Sequence, residues 1–308
     1  MLLTTPVHIV PSDRKITYRD RLLFLGSCFA DSISACMSEY YFRLTANPFG
    51  TLYNPLSIAQ AIRLQELPEP VEWGGLYHSM MHHGRFSTPS PDLTRSNCEE
   101  SIRLMQKALE ESTIVCVTFG TAWVYELGGQ VVANCHKMPA ERFRRRRLTA
   151  DEIVDAWKPI LEAYPDKHFI FTVSPVRHLK DGLHENQLSK SILLQAVDSL
   201  CSISEAVYTP LAKRSYFPAF EIMLDELRDY RFYADDMLHP SAQAVQYIFS
   251  CFADCYIDEA TRADMQQLHR LYLDRQHRFL HPDSPEAAAF LARLEQQTAS
   301  LRTRFPWI

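Results

Sequence analysis

The sequence predicts an α/β protein, a three-layer α/β/α sandwich around a mainly parallel sheet, followed by a C-terminal helical extension. Two observations carry this. Three short runs are almost wholly apolar: residues 21–26 (R-L-L-F-L-G), 113–120 (T-I-V-C-V-T-F-G) and 168–174 (H-F-I-F-T-V-S). A strand that is apolar on both faces belongs in a sheet covered on both sides, which is the habit of parallel sheets. Between the runs, apolar residues recur every three or four positions, which is helical spacing.

Each element follows in order. Residues 1–20 read as an irregular lead-in, and 21–26 as a buried strand stopped by Gly26. Phe29, Ile33, Cys36 or Met37, and Tyr40 then predict a helix opening straight after a tight turn. Residues 44–56 carry loop chemistry in N-P-F-G and N-P, and a helix is expected over 57–65. Residues 68–98 are rich in Pro, Gly, His and Ser and read as irregular; a loop that long is usually functional or disordered. A helix over 99–111 leads into the second strand, 113–120. Gly128-Gly129 predicts a hairpin within 123–134. Thr149 and Glu152 form a capping box for a helix over 149–164, and Pro175 stops the third strand, 168–174. Helix over 188–206, a fourth strand near 215–220, helix over 241–255 and mostly helical structure over 261–300 complete the chain. The expected division is an α/β domain at 1–258 and a helical extension at 259–308, packed on or beside it.

The composition excludes several classes. A chain of 308 residues holds one large domain or two modest ones. With 46% hydrophobic and 22% charged residues it reads as globular, not disordered. A net charge of −5 gives no electrostatic reason to expect nucleic-acid or anionic-membrane binding. Only 9 glycines exclude collagen-like and Gly-rich linker architectures. No apolar stretch approaches the roughly 18 residues that a membrane-spanning helix needs. The opening M-L-L-T-T-P lacks the basic start and apolar run of a secretion signal. The 8 cysteines form no C-x-x-C pair, so a zinc ribbon or thioredoxin-like motif is not expected. Read as reduced, mostly buried thiols, they fit a cytoplasmic protein.

Two motifs could carry chemistry. Ser27 follows a strand and Gly26 and opens a helix, at the sheet edge where open α/β folds build their sites. Helix N-terminal amides there can stabilise a developing oxyanion. The alternative for Ser27 is a plain N-cap. Asp236-Met237-Leu238-His239-Pro240-Ser241 is the second motif. A D-x-x-H loop lets a carboxylate orient an imidazole, which is what a serine nucleophile needs in its base. Pro240 keeps His239 out of helix, and Ser241 can cap the next one. Asp235 is a rival for the carboxylate, and a surface Asp and His before a capped helix is the alternative reading.

The two motifs in this order resemble the SGNH (GDSL-like) hydrolase superfamily. The block Gly26-Ser27-Cys28-Phe29-Ala30 resembles the GSCFA family within it, as do Asn47-Pro48-Phe49-Gly50, Tyr53-Asn54-Pro55, Phe119 to Tyr125, Asn134-Cys135-His136-Lys137, Ser174 to His178 and Arg228 to Tyr233. The resemblance covers about residues 20–255. It implies an SGNH-like, flavodoxin-like sandwich and an esterase, acyl hydrolase or acyl transferase with Ser27 as nucleophile, His239 as base and Asp236 as orienting acid. The superfamily's oxyanion hole combines the nucleophile's amide, a loop glycine amide and an Asn side chain. Gly50 fits the loop glycine. The usual G-x-N-D block reads Gly120-Thr121-Ala122-Trp123 here, without Asn. Thr121, Asn47 or Asn134 are the candidates to replace that amide. The substrate implied is a small-molecule or carbohydrate ester, such as an O-acetyl group, and no metal or organic cofactor is needed. The alternative is a binding module that lost ester chemistry with its Asn.

Other residues are weaker candidates. His136 could bind a substrate anion or be structural. Arg177 and His178 follow the third strand and could contact substrate or form internal ion pairs. His78, His82 and His83 lack an acidic partner for a metal and suit a substrate lid better. Cys28 could be a thiol nucleophile, but about 100° of helical rotation from Ser27 is expected to turn it into the core. The R-F-R-R-R-R cluster at 142–147 reads as a plain exposed face, with a solvated loop or a phosphate contact as the alternatives.

Overall fold

The computed structural model describes residues 4–202 and 213–308. Residues 1–3 of the expected lead-in and 203–206 of the expected helix lie outside the described residues. A five-stranded sheet, all parallel, forms the middle layer. Its central strands are the three apolar runs: β1 (Leu22–Gly26), β5 (Ile114–Phe119) and β9 (His168–Val173), every residue buried. The edges are β2 (Leu44–Ala46) beside β1 and β10 (Lys213–Tyr216) beside β9. The fourth strand therefore starts earlier and is shorter than expected, and residues 219–221 turn helical (α6, Ala219–Glu221).

Alternation along the strands divides the core in two. Leu22, Phe24, Ile114, Cys116 and Ile170 face one side, with Phe29 and Ile33 of α1 (Cys28–Glu39) and Ile248 of α7 (Ala242–Tyr256). Leu23, Leu25, Val115, Val117, Phe169 and Phe171 face the other. They meet α2 (Pro55–Arg63), α3 (Pro91–Glu111), α4 (Ala150–Ala163) and α5 (Gly182–Ser202). The capping box at Thr149 and Glu152 is present. Trp157 of α4 lies fully buried between Phe119 and Phe171, edge-on to both. Helices α8 (Glu259–Gln276) and α9 (Pro285–Arg302) join the first core cluster through Leu268, Leu271 and Leu301.

Two further segments depart from expectation. Residues 68–98 are ordered: a hairpin of β3 (Val71–Trp73) and β4 (Leu76–His78), then α3, which starts at Pro91 with Ser90 as its cap. The expected hairpin exists as β6 (Trp123–Leu127) and β7 (Gln130–Val132). The arginine cluster is not a plain exposed face. It forms β8 (Arg144–Arg147), which pairs with β6 and extends the hairpin to a three-stranded sheet. Arginine suits that edge because Asp181, Glu126 and Glu185 receive the successive guanidinium groups of Arg145, Arg146 and Arg147. Among the described residues, no helix is long and apolar enough to cross a membrane.

Candidate active site

The turn from β1 into α1 is dictated by close packing. Gly26 adopts φ +124°, and a Cβ there would sit 2.0 Å from the Thr118 carbonyl oxygen, so only glycine passes. Asn47 braces the turn: its Oδ1 accepts the Gly26 N–H at 2.8 Å and its Nδ2 donates to Asp31 at 2.8 Å. Ser27 caps α1, its Oγ accepting the Phe29 N–H at 3.3 Å. Its side chain lies against Gly120, where an added Cβ would come within 3.3 Å of the Ser27 Cβ. Ser27 is only 1% exposed. The next residue, Cys28, is half-buried and faces out of the turn.

The D-x-x-H loop folds on itself as its spacing requires. Asp236 Oδ1 accepts the amides of Leu238 (2.9 Å) and His239 (3.0 Å), while Oδ2 lies 2.6 Å from His239 Nδ1. These bonds to the carboxylate, the backbone ones foremost, hold Asp236 down at about 2. Met237 takes the left-handed conformation that so tight a turn needs. The Arg177 N–H donates to the Leu238 carbonyl at 3.1 Å and ties this loop to the segment after β9. Ser241 caps α7, as expected. Asp236 is therefore the partner of His239, and Nε2 is left as the nitrogen that can take a proton.

Cys28 and His239 line one cleft of about 390 Å³ at the carboxyl edge of the sheet. The hairpin strands and β8 form its far wall, with Trp123, Tyr125 and Arg145; Tyr53, Thr121 and the segment 176–181 close the rest. Arg145 lies over the Trp123 ring at 4.3 Å and pairs with Asp181. Arg177 lies 3.9 Å from the Tyr233 ring centroid. His178 Nε2 is buried with no hydrogen-bond partner among the described residues. Burial, with the charges of Lys190 and His239 adding to it, pushes His178 down to about 4. Beneath the cleft, Lys190 is 1% exposed. It donates to the carbonyls of Gly120 (2.7 Å) and Ser174 (2.6 Å), joining the carboxyl ends of β5 and β9. Burial lowers it to about 7.

The predicted residues thus separate. His239, Thr121, Arg177 and His178 line the cleft, and Asp236 joins it through His239. Ser27 does not border it, and its amide donates to the Thr118 carbonyl at 3.1 Å, not into the cleft. The Gly50 amide donates to Asn47 at 2.8 Å, and its α-carbon faces His83. The Asn47 amide group is engaged at both ends by Gly26 and Asp31. Asn134 accepts the His136 N–H at 2.8 Å in the turn after β7. Gly120 lies behind the cleft, where its amide donates to Tyr53 and its carbonyl accepts Lys190. His136 does not line the cleft: Nε2 meets the Ser79 carbonyl at 2.8 Å, the ring stacks on His78, and burial pushes it down to about 4. His82 stacks on Phe49 and bonds Ser79 and Ser101. Cys28, expected to point into the core, packs against the first core cluster as expected and also borders the cleft.

Lys190 and Arg145 did not stand out from the sequence. A signal for Lys190 existed: it stands three residues before Leu193 on the buried stripe of α5, where a lysine is out of place. Arg145 gave none, because four successive arginines read alike.

Fold and site together define a three-layer α/β protein with a His–Asp pair at the carboxyl edge of its parallel sheet. The chain belongs to the GSCFA family, whose model matches residues 21–252. No curated protein and no solved structure matches it.

Proposed function

We propose that the protein is an acyl-transfer enzyme of SGNH type, an ester hydrolase or an acyl transferase acting on an O-acyl group of a sugar or small metabolite. The observation that carries this is the 2.6 Å pairing of His239 Nδ1 with Asp236, placed on a cleft beside the N-terminus of α1. An imidazole held by a carboxylate at one nitrogen presents the other as general base and then as general acid. The nucleophile comes from the β1–α1 turn. The cleft volume suits a small ligand. The Trp123 and Tyr125 rings suit a sugar face, and Arg145, Arg177 and Lys180 suit an oxygen-rich or anionic substrate. The chemistry asks for no metal or organic cofactor. A cytoplasmic setting belongs to the same proposal, and the 8 free cysteines suit it.

Hydrolysis of p-nitrophenyl acetate and butyrate by wild type, His239→Ala and Asp236→Asn tests this. Either variant should lose about 10²–10⁴-fold in kcat/KM while remaining folded. Equal rates in all three would refute it. A binding module on the same fold is the second reading, favoured by the internal bonding of Ser27, Gly50 and Asn47; ligand binding without turnover would select it.

A further inference from the structure

The hydroxyl nearest the expected catalytic position is closed off. Ser27 is 1% exposed, its Oγ caps α1, and its Cβ faces Gly120. The thiol one residue later borders the same cleft as His239. Three further features bear on that thiol. It stands at the first position of α1, where the helix dipole favours a developing anion. Lys190, when it holds its proton, acts on it in the same sense. His178, with an unpartnered Nε2, lines the same cleft.

We propose that Cys28, not Ser27, is the nucleophile of this cleft and carries the acyl group as a thioester. The proposal rests on the acyl-transfer reading and adds to it the atom that is acylated. His239 Nε2 takes the Cys28 proton. The thiolate attacks the ester carbonyl, and a C–S bond forms. The tetrahedral intermediate collapses with cleavage of the C–O bond, and His239 returns the proton to the leaving alcohol. Water, or an acceptor hydroxyl, then gives its proton to His239 and attacks the thioester. The C–S bond breaks, and the thiolate recovers its proton from His239.

The thiol is not ionised in advance. Burial raises it, and Asp31 adds to that, against the pull of the Cys28 and Phe29 amides and of Lys190. A base within the cleft is therefore required, and His239 supplies it. Ser27 keeps a separate role in capping the helix on which Cys28 stands.

The test uses the full chain with p-nitrophenyl acetate. Reaction mixtures are quenched in acid within the first turnovers, and the peptide spanning residues 22–43 is mapped by mass spectrometry before and after neutral hydroxylamine. That reagent cleaves thioesters and spares simple oxygen esters. The expected result is an acetyl group on Cys28 that hydroxylamine removes. Cys28→Ala should lose about 10³-fold or more in turnover. Ser27→Ala should keep the Cys28 adduct. Alkylation by chloroacetamide, mapped to Cys28, should abolish turnover in proportion to the modification, which covers the case of a variant that folds poorly. A hydroxylamine-stable acetyl group on Ser27, or full turnover after Cys28 is alkylated or replaced, would overturn this proposal and leave acyl transfer standing. Turnover equal in wild type and His239→Ala would overturn both.

Discussion

Replacing Asn47 with alanine should cost about 3–5 kcal/mol of stability, and the sum can be built bond by bond. The Gly26 N–H loses its acceptor beside a residue only 3% exposed. An unsatisfied buried donor of that kind costs about 1–3 kcal/mol. The bond from Nδ2 to Asp31 goes as well, worth about 1 kcal/mol because Asp31 is part-exposed and water can substitute. Asn47 also sits at φ +42°, and alanine in the left-handed region costs about 1 kcal/mol more than asparagine. Urea unfolding should report the loss as a lower midpoint at unchanged slope. Asn47→Asp keeps the acceptor for Gly26 but sets a second carboxylate against Asp31. It should lose stability at pH 7 and recover part of it near pH 4, where one carboxyl takes a proton. A loss below about 1 kcal/mol for Asn47→Ala would refute the bracing role and make Asn47 once more a candidate oxyanion donor.

Burial depresses four histidines: His82 to about 3, and His136, His168 and His178 to about 4. The unfolded chain then binds protons near pH 6.5 while the folded one does not, so stability falls as pH drops from about 6.5 towards 4. Calorimetric unfolding at pH 5 should take up about four protons from these residues, and uptake of fewer than two would refute it. Lys190, lowered to about 7 in the fold against 10.5 in the unfolded chain, has the same sign at higher pH. The stability of wild type relative to Lys190→Met should therefore rise between pH 7 and 10, by at most about 1.4 kcal/mol per unit. A flat difference would mean that the amine is charged in the fold.

The middle of the sheet was legible because β1, β5 and β9 are buried on both faces, and composition alone then marks them. The edges were not. Leu44-Thr45-Ala46 is very short and Lys213-Arg214-Ser215-Tyr216 is largely polar, and they are strands only because a neighbour offers them hydrogen bonds. The Asp236–His239 pair was legible because its geometry is complete within four residues. The oxyanion donors were not. Whether the amide of Ser27 is free depends on Thr118, which arrives from another strand, and whether that of Gly50 is free depends on how the turn from Asn47 closes. Helical rotation placed Cys28 against the core, where it does pack, but could not show that the same residue also borders the cleft, because the cleft walls come from distant segments.

The shared motifs end at residue 252, yet the hydrophobic cluster does not. Met265, Leu268 and Leu271 of α8, Leu301 of α9, and Phe305 and Ile308 beyond it belong to the same cluster as Phe29, Ile33 and Met37 of α1. Trp307 reaches back to donate to the Tyr41 carbonyl at 2.8 Å. The span that the family model matches is therefore smaller than the hydrophobic unit of this chain. A chain trimmed to that span would strip the cover from the helix that bears Cys28 and present a greasy, self-associating face to water.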